Sequence, residues 1–267
     1  MATVASEATW VPLQGLSEAG LRALIAGEIP AIRMPGFASA AECRRFCDAI
    51  RSGAVAGKAA TTSQMSLIGC NFSNHAGRAK EDYFALVEPS YRDVGRLADA
   101  AGFDPLARMI ERLQAVWPGH VGVAVEPGYG RYFAGGVKTR TSSGHLHYDF
   151  VPHTAPGFAI AQITDQLGLN LYLDMPGATG ETITYRRPVR REGGPLGRGP
   201  GRAMNLEAAY VEGAPSFTFR PEIGEVVIIS TRNPHDIIVG EVAAGEWRVQ
   251  TSAFVGRLPD DDLVLWS

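Results

Sequence analysis

The feature that most limits what this chain can fold into is a change of texture near residue 121. From there on the apolar runs VGVAV, FAIAQIT, LGLNLYL, ETITYRR, SFTFR, EVVIIST and RVQTSAFVG are short and separated by Gly, Pro and Asp turns. Many short strands at such spacing predict a barrel or jelly roll. Helical patterns are confined to the first part of the chain, so strands and helices do not alternate, which argues against a doubly wound parallel sheet. The expectation is a mainly β chain with N-terminal helices. Residues 1–120 form a mostly helical support and lid region, and residues 121–267 a jelly-roll, cupin-like core, together one domain.

Leu16 to Ile25 reads as a short amphipathic helix capped by Ser17 or a neighbour, and IPAIRMPGF as a strand broken at Pro35-Gly36. Ser39 followed by Glu42 is a capping-box pattern, and Ala41 to Ile50 continues it with Cys43, Phe46, Cys47 and Ile50 on one side. Residues 51–80, rich in Gly, Ala, Ser, Thr and Asn, read as a long loop closed by Asp82-Tyr83-Phe84, and long ordered loops often border binding sites. A helix is predicted over Asp104 to Trp117, ended by Pro118-Gly119. GRGPGRAMN at 197–205 is a glycine-rich crossover without the strand-turn-helix setting of a phosphate loop.

Charge narrows the partners. With 25 basic and 28 acidic residues among 267 the net charge is -3, so no overall basic field exists to hold a phosphate backbone. No apolar run approaches the roughly 20 residues needed to cross a bilayer, and the opening MATVASEATW lacks the pattern of a secretory signal. The partner expected is a small molecule rather than nucleic acid or membrane, and the expected location is cytoplasmic. The three cysteines, Cys43, Cys47 and Cys70, cannot all pair within the chain and read as buried thiols. A twofold homodimer is the common outcome for soluble enzymes.

The chemistry concentrates in GHLHYDF, residues 144–150. Residues two apart on a strand point to one side, so His147 and Asp149 present an imidazole and a carboxylate to one ion, with His145 on the same face. A second segment, GEVVIISTRNPHDI, carries a strand into a polar turn that delivers His235. Two histidines and one carboxylate on one face of an octahedral ion are the arrangement of non-haem Fe(II) oxygenases. His-x-Asp alone is a weak signal. Arg248, thirteen residues after His235 on the next strand, strengthens it, because guanidinium offers a bidentate partner to a carboxylate-bearing cosubstrate. The bland readings are a core histidine at 147, a turn acceptor at Asp149 and a surface strand arginine at 248.

His-x-Asp, then a distal His, then an Arg resembles the 2-oxoglutarate-dependent Fe(II) dioxygenase superfamily with its double-stranded β-helix. Within it the chain is similar to the group containing the N-succinyl-amino-acid hydroxylase and the carrier-independent halogenase of welwitindolinone-type alkaloids. The likeness lies in IPAIRMPGFASAAECRRF, DYF at 82–84, HYDF, GATGETITY, GEVVIISTRNPHDI and SAFVGRLPDDDLVLWS. It implies iron on His147, Asp149 and His235, and the distal carboxylate of 2-oxoglutarate on Arg248. It also implies a reaction with O2 that releases succinate and CO2 and hydroxylates a C–H bond. The implied substrate is a free or N-substituted amino acid or an alkaloid-like compound of secondary metabolism. Halogenases of this group carry Gly or Ala at the carboxylate position; Asp149 fills it, so hydroxylation is the outcome expected.

For substrate contacts the expected residues are Arg140, shortly before the metal strand, and Tyr132, ahead of Gly135-Gly136. Phe150 and His153 follow the ligands, and His75 and Tyr83 belong to the lid region. Arg140 is equally readable as an exposed loop arginine, Phe150 as core and His75 as solvated. Trp247 should point away from Arg248 and pack against a front-end helix. Two other classes compete. A cupin-like metalloenzyme without 2-oxoglutarate would make Arg248 dispensable, and a non-catalytic small-molecule binding barrel would bind no Fe(II) or Mn(II) tightly.

Overall fold

A computed structural model describes residues 10–53, 55, 58–59, 65–175, 177, 180–193, 204–239, 242–243 and 245–267. Most of the glycine-rich crossover, residues 197–203, and most of the opening MATVASEATW, residues 1–9, lie outside the described residues.

The front of the chain runs β1 (Leu13–Gln14), α1 (Glu18–Ile25), β2 (Ala31–Met34), α2 (Ala40–Arg51), β3 (Lys58–Ala59) and β4 (Met65–Ile68). The helices α3 (Lys80–Ala101) and α4 (Pro105–Gln114) follow. Ser17 caps α1 by accepting from the Gly20 N–H, and Ser39 and Glu42 form the reciprocal capping box of α2. Asp104 caps α4 with Pro105 in its first turn.

Next come β5 (Val121–Val123), β6 (Val125–Glu126), β7 (Gly130–Arg131), β8 (Gly136–Arg140), β9 (His147–Tyr148) and the one-turn α5 (Val151–Thr154). The chain continues through β10 (Asp165–Asp174), β11 (Glu181–Tyr185), β12 (Met204–Asn205) and β13 (Ser216–Phe219). It ends with β14 (Val226–Ser230), β15 (His235–Ile238), β16 (Arg248–Arg257) and β17 (Leu263–Trp266). Among the described residues no helix is long and apolar enough to cross a membrane.

The architecture is mainly β with helices at the front. Among the described residues ten strands build one sheet, ordered β1-β2-β14-β10-β16-β8-β4-β3, with β17 on β16 and β5 on β17. Five build a second, ordered β12-β9-β15-β11-β13. Along one edge β16 is shared: its first half pairs with β8 and its second half with β17. Period-two alternation then sorts the side chains of the large sheet. Leu167, Leu169, Leu171 and Leu173 of β10, with Val226 and Ile228 of β14, join Leu21, Leu24, Phe46 and Cys47 of α1 and α2 in the main core. The intervening Gly168, Asn170, Tyr172, Val227 and Ile229 line a cavity on the opposite face. Trp247 packs against the same main core.

Gly224 holds the entry to β14 against the segment before α2. Its φ is +82°, and an added Cβ would stand 2.2 Å from the Ala38 carbonyl oxygen. Ala38 N–H donates to the Gly224 carbonyl at 3.0 Å.

Three expectations are corrected. Residues 51–80 are not simply a loop, because β4 pairs with β8 and extends the large sheet beside the cavity. The 22-residue α3 stands where no helix was expected. FAIAQIT is no strand: Ala159–Gln162 form a 3-10 turn, and the Arg191 guanidinium takes the carbonyls of Ala161, Gln162 and Ile163 that a ladder partner would otherwise need. A short apolar run cannot be told from a helical turn by periodicity alone.

Candidate active site

The cavity of about 530 Å3 lies between the two sheets. The large sheet contributes Leu67, Lys138, Arg140, Asn170, Arg248 and Gln250, and the small one His147, Thr182, Asn205, Phe219, His235 and Ile237.

On the small sheet β9 and β15 pair at a single position, His147 opposite His235, which brings their ring centroids to 4.3 Å. Asp149 is not on the strand with His147, as the sequence suggested. It follows the end of β9 and is placed by its own N–H, which donates to the Thr231 carbonyl at 2.9 Å. Its Oδ2 stands 3.6 Å from His147 Nε2 and 3.8 Å from His235 Nε2, and one ligand atom from each of the three residues lies within 4.8 Å of the others. His145 is exposed and not in this cluster.

The tautomers follow from the outer contacts. His147 Nδ1–H donates to the His145 carbonyl at 2.6 Å and His235 Nδ1–H to the Asn233 carbonyl at 3.0 Å, so both Nε2 lone pairs are left for an ion. Burial, then the neighbouring His147, pushes the His235 imidazole down to about 4, against the pull of Asp149. It is therefore neutral at physiological pH, the form that ligates. Two imidazoles and a carboxylate, gathered on one side of a roomy cavity, fit a divalent ion such as Fe(II) with open positions opposite.

Arg248, first residue of β16, is 1% exposed, and its Nε and Nη1 have no hydrogen-bond partner. Its guanidinium carbon lies 4.8 Å from the centre of the Tyr172 ring. A buried guanidinium with orphaned N–H groups facing a cavity costs free energy until a planar anion completes it. The group that fits is a carboxylate.

The other expected contacts divide. Arg140 lies opposite Arg248 in the β8–β16 pairing and lines the cavity, with Met65 Sδ 3.4 Å from its Nη2. Tyr132, Tyr83, Phe150, His153 and His75 are not among the cavity-lining residues. Tyr132 donates its hydroxyl to the buried Glu126 carboxylate, which Lys80 and the Ala159 N–H also hold. Tyr83 sits on α3 and accepts from the Phe133 N–H at 3.1 Å. These two pack with Phe150 in an aromatic cluster under α3. His153 is held between the Tyr148 hydroxyl and the Arg191 carbonyl, and His75 leans on Tyr83. For Phe150 and His75 it is the preceding residue, Asp149 and Asn74, that lines the cavity. Lys138, Asn170, Tyr172 and Gln250 line the cavity and were missed. For Lys138 the signal was present: it is two residues before Arg140 on one strand and so shares its face.

No family model matches the chain. Leucinostatins biosynthesis cluster protein S of Purpureocillium lilacinum is 29% identical over 212 residues, covering 75% of this chain and 86% of that protein. Among solved structures, an N-substituted L-amino acid dioxygenase from Burkholderia ambifaria, in complex with alpha-KG, superposes with a TM-score of 0.55 at 15% identity. That match covers 93% of this chain and 90% of the other. The same enzyme in its other crystal structure gives a TM-score of 0.55 over 93% and 91%. The chain therefore shares the fold of that dioxygenase.

Proposed function

We propose that this chain is an Fe(II)- and 2-oxoglutarate-dependent oxygenase on a double-stranded β-helix. It hydroxylates an unactivated C–H bond of a small metabolite and releases succinate and CO2. The substrate is a free or N-substituted amino acid or an alkaloid-like compound. One observation carries the reading. His147, Asp149 and His235 converge with both Nε2 atoms free, in the same cavity into which Arg248 brings two N–H groups without partners.

When bound, iron and 2-oxoglutarate supply oxygen activation and the oxidising power for C–H cleavage. The chain's own residues do the rest. His147, Asp149 and His235 would hold the ion, and Arg248 would grip the far carboxylate of the cosubstrate. The apolar side chains of the cavity orient the substrate and exclude water. By the resemblance, halogenases of this group carry Gly or Ala where Asp149 stands, which favours hydroxylation over halogenation. A metalloenzyme without 2-oxoglutarate leaves the Arg248 N–H groups unexplained.

The names of the relatives, one an N-substituted amino acid dioxygenase and one a biosynthesis-cluster protein, support the substrate class and a role in secondary metabolism. The test is anaerobic titration of the protein with Fe(II) and then 2-oxoglutarate. A visible metal-to-ligand charge-transfer band in wild type and none in Asp149→Ala is the result expected. No band in folded, iron-loaded wild type overturns the reading.

A further inference from the structure

The charged lining of the cavity is lopsided. Lys138, Arg140 and Arg248 line it, and Asp149 is the one acidic side chain among the described lining residues. Among the described residues, none of the three cations forms a salt bridge, and Lys138 has neither an ion pair nor a hydrogen bond. Burial pushes the Lys138 ammonium below the ordinary lysine range, opposed by Asp149. It pushes Arg140 below the ordinary arginine range too, with Arg248 adding to the effect and Asp236, not in salt-bridge contact, opposing it. Cations in such surroundings are costly without an anion at hand.

The metal and cosubstrate do not remove the excess. A divalent ion and the 2-oxoglutarate dianion cancel each other, and Asp149 is spent on the ion. Arg248 takes the far carboxylate, which leaves Lys138 and Arg140. These are two apart on β8, so their side chains leave the strand on one face with bases about 7 Å apart, a spacing that two long cationic side chains close around a single carboxylate. Leu67 flanks Lys138 on β4, and Val227, Ile229, Phe219 and Ile237 offer apolar surface across the cavity.

We infer that Lys138, with Arg140 beside it on β8, holds a carboxylate of the substrate, and that the cavity selects acids with an apolar body over their neutral counterparts. The inference rests on the oxygenase reading for the seat of 2-oxoglutarate.

The test compares N-acetyl-L-leucine with the neutral N-acetyl-L-leucinamide, titrated calorimetrically into anaerobic protein loaded with Fe(II) and 2-oxoglutarate. Wild type should bind the acid at least about tenfold more tightly than the amide, about 1.4 kcal/mol. Lys138→Gln should abolish that preference while leaving 2-oxoglutarate affinity, read from the charge-transfer band, within about twofold. Lys138→Arg, which keeps the charge, should retain the preference. Equal binding of acid and amide by wild type, binding of neither at millimolar concentration, or a Lys138→Gln loss that falls equally on 2-oxoglutarate overturns the assignment. If wild type forms no charge-transfer band, the oxygenase reading fails instead. The acid-over-amide preference of the metal-free protein then decides whether Lys138 is an anion site in its own right.

Discussion

His147 and His235 are locked by the same device: each donates its Nδ1–H to the carbonyl of the residue two before it, His145 and Asn233. The backbone that builds β9 and the turn before β15 thus decides which nitrogen of each ring meets an ion. Losing a ligand removes more than an outer contact would, and outer contacts alone are worth about 10- to 100-fold in metal affinity. His235→Ala and Asp149→Ala should each weaken Mn(II) binding by more than about 100-fold in a calorimetric titration, with the fold retained by circular dichroism.

Arg248 makes a second, separable prediction. Arg248→Met should leave metal affinity intact but weaken 2-oxoglutarate at least about tenfold, the scale of one charge-assisted hydrogen bond or more. Arg248→Lys should restore only part of it, since an ammonium cannot reproduce the two-pronged contact. Equal 2-oxoglutarate affinity in all three proteins, followed by the charge-transfer band, would show that the cosubstrate carboxylate sits elsewhere.

Tyr132 separates a structural from a catalytic role. Its hydroxyl serves the buried Glu126 carboxylate, so Tyr132→Phe should cost about 1–3 kcal/mol of stability in urea unfolding. Substrate-dependent turnover of 2-oxoglutarate should stay at the wild-type level. A selective loss of turnover at unchanged stability would return Tyr132 to the cavity.

The pair of Glu42 with Arg108, joined at 2.7 Å, gives the stability a pH dependence. The Arg108 guanidinium holds the Glu42 carboxyl down to about 2 from its ordinary 4.5. A carboxylate depressed on folding stabilises fully above its unfolded value and loses that contribution as pH falls from about 4.5 to about 2. Glu42→Gln keeps the capping-box geometry but not the charge. It should lower the urea midpoint at neutral pH, and the gap from wild type should shrink as the medium is acidified toward pH 3.

Gly224 tests the packing behind β14. Gly224→Ala must place a methyl against the Ala38 carbonyl at a positive φ, and a loss of roughly 1–3 kcal/mol or more is expected in thermal unfolding.

The parts of the molecule legible in the sequence were those written in residue types that chemistry or capping demands. The meeting of His147, Asp149 and His235, the placing of Arg248 in the same cavity lining, the Ser39–Glu42 box and the apolar strands β10, β14 and β16 all belong there. The long α3 was hidden because Pro89 and Gly95 lie inside it and Ala79 at its start makes no side-chain cap, so the usual punctuation pointed to loop. Tertiary packing overrode those signals, with Tyr83, Val87 and Leu97 buried beneath the helix. Tyr132, Tyr83, Phe150, His153 and His75 lie off the cavity for a different reason. Nearness in sequence to a ligand does not set which way a side chain faces: strand parity puts Lys138 and Arg140 on the cavity face, while Tyr132, between β7 and β8, serves the buried Glu126 carboxylate.

The two histidines of the candidate ion site belong to the small sheet, with Asp149 just past the end of β9, and the cationic wall, with Arg248, Lys138 and Arg140, to the large one. That partition lets the reactive centre and the recognition surface diverge independently. Replacements along β4 and β8 can retune what is admitted without touching the strands that hold His147 and His235. Descendants of such a scaffold can change diet while keeping the same chemistry, and directed evolution aimed at new substrates should begin on β4 and β8.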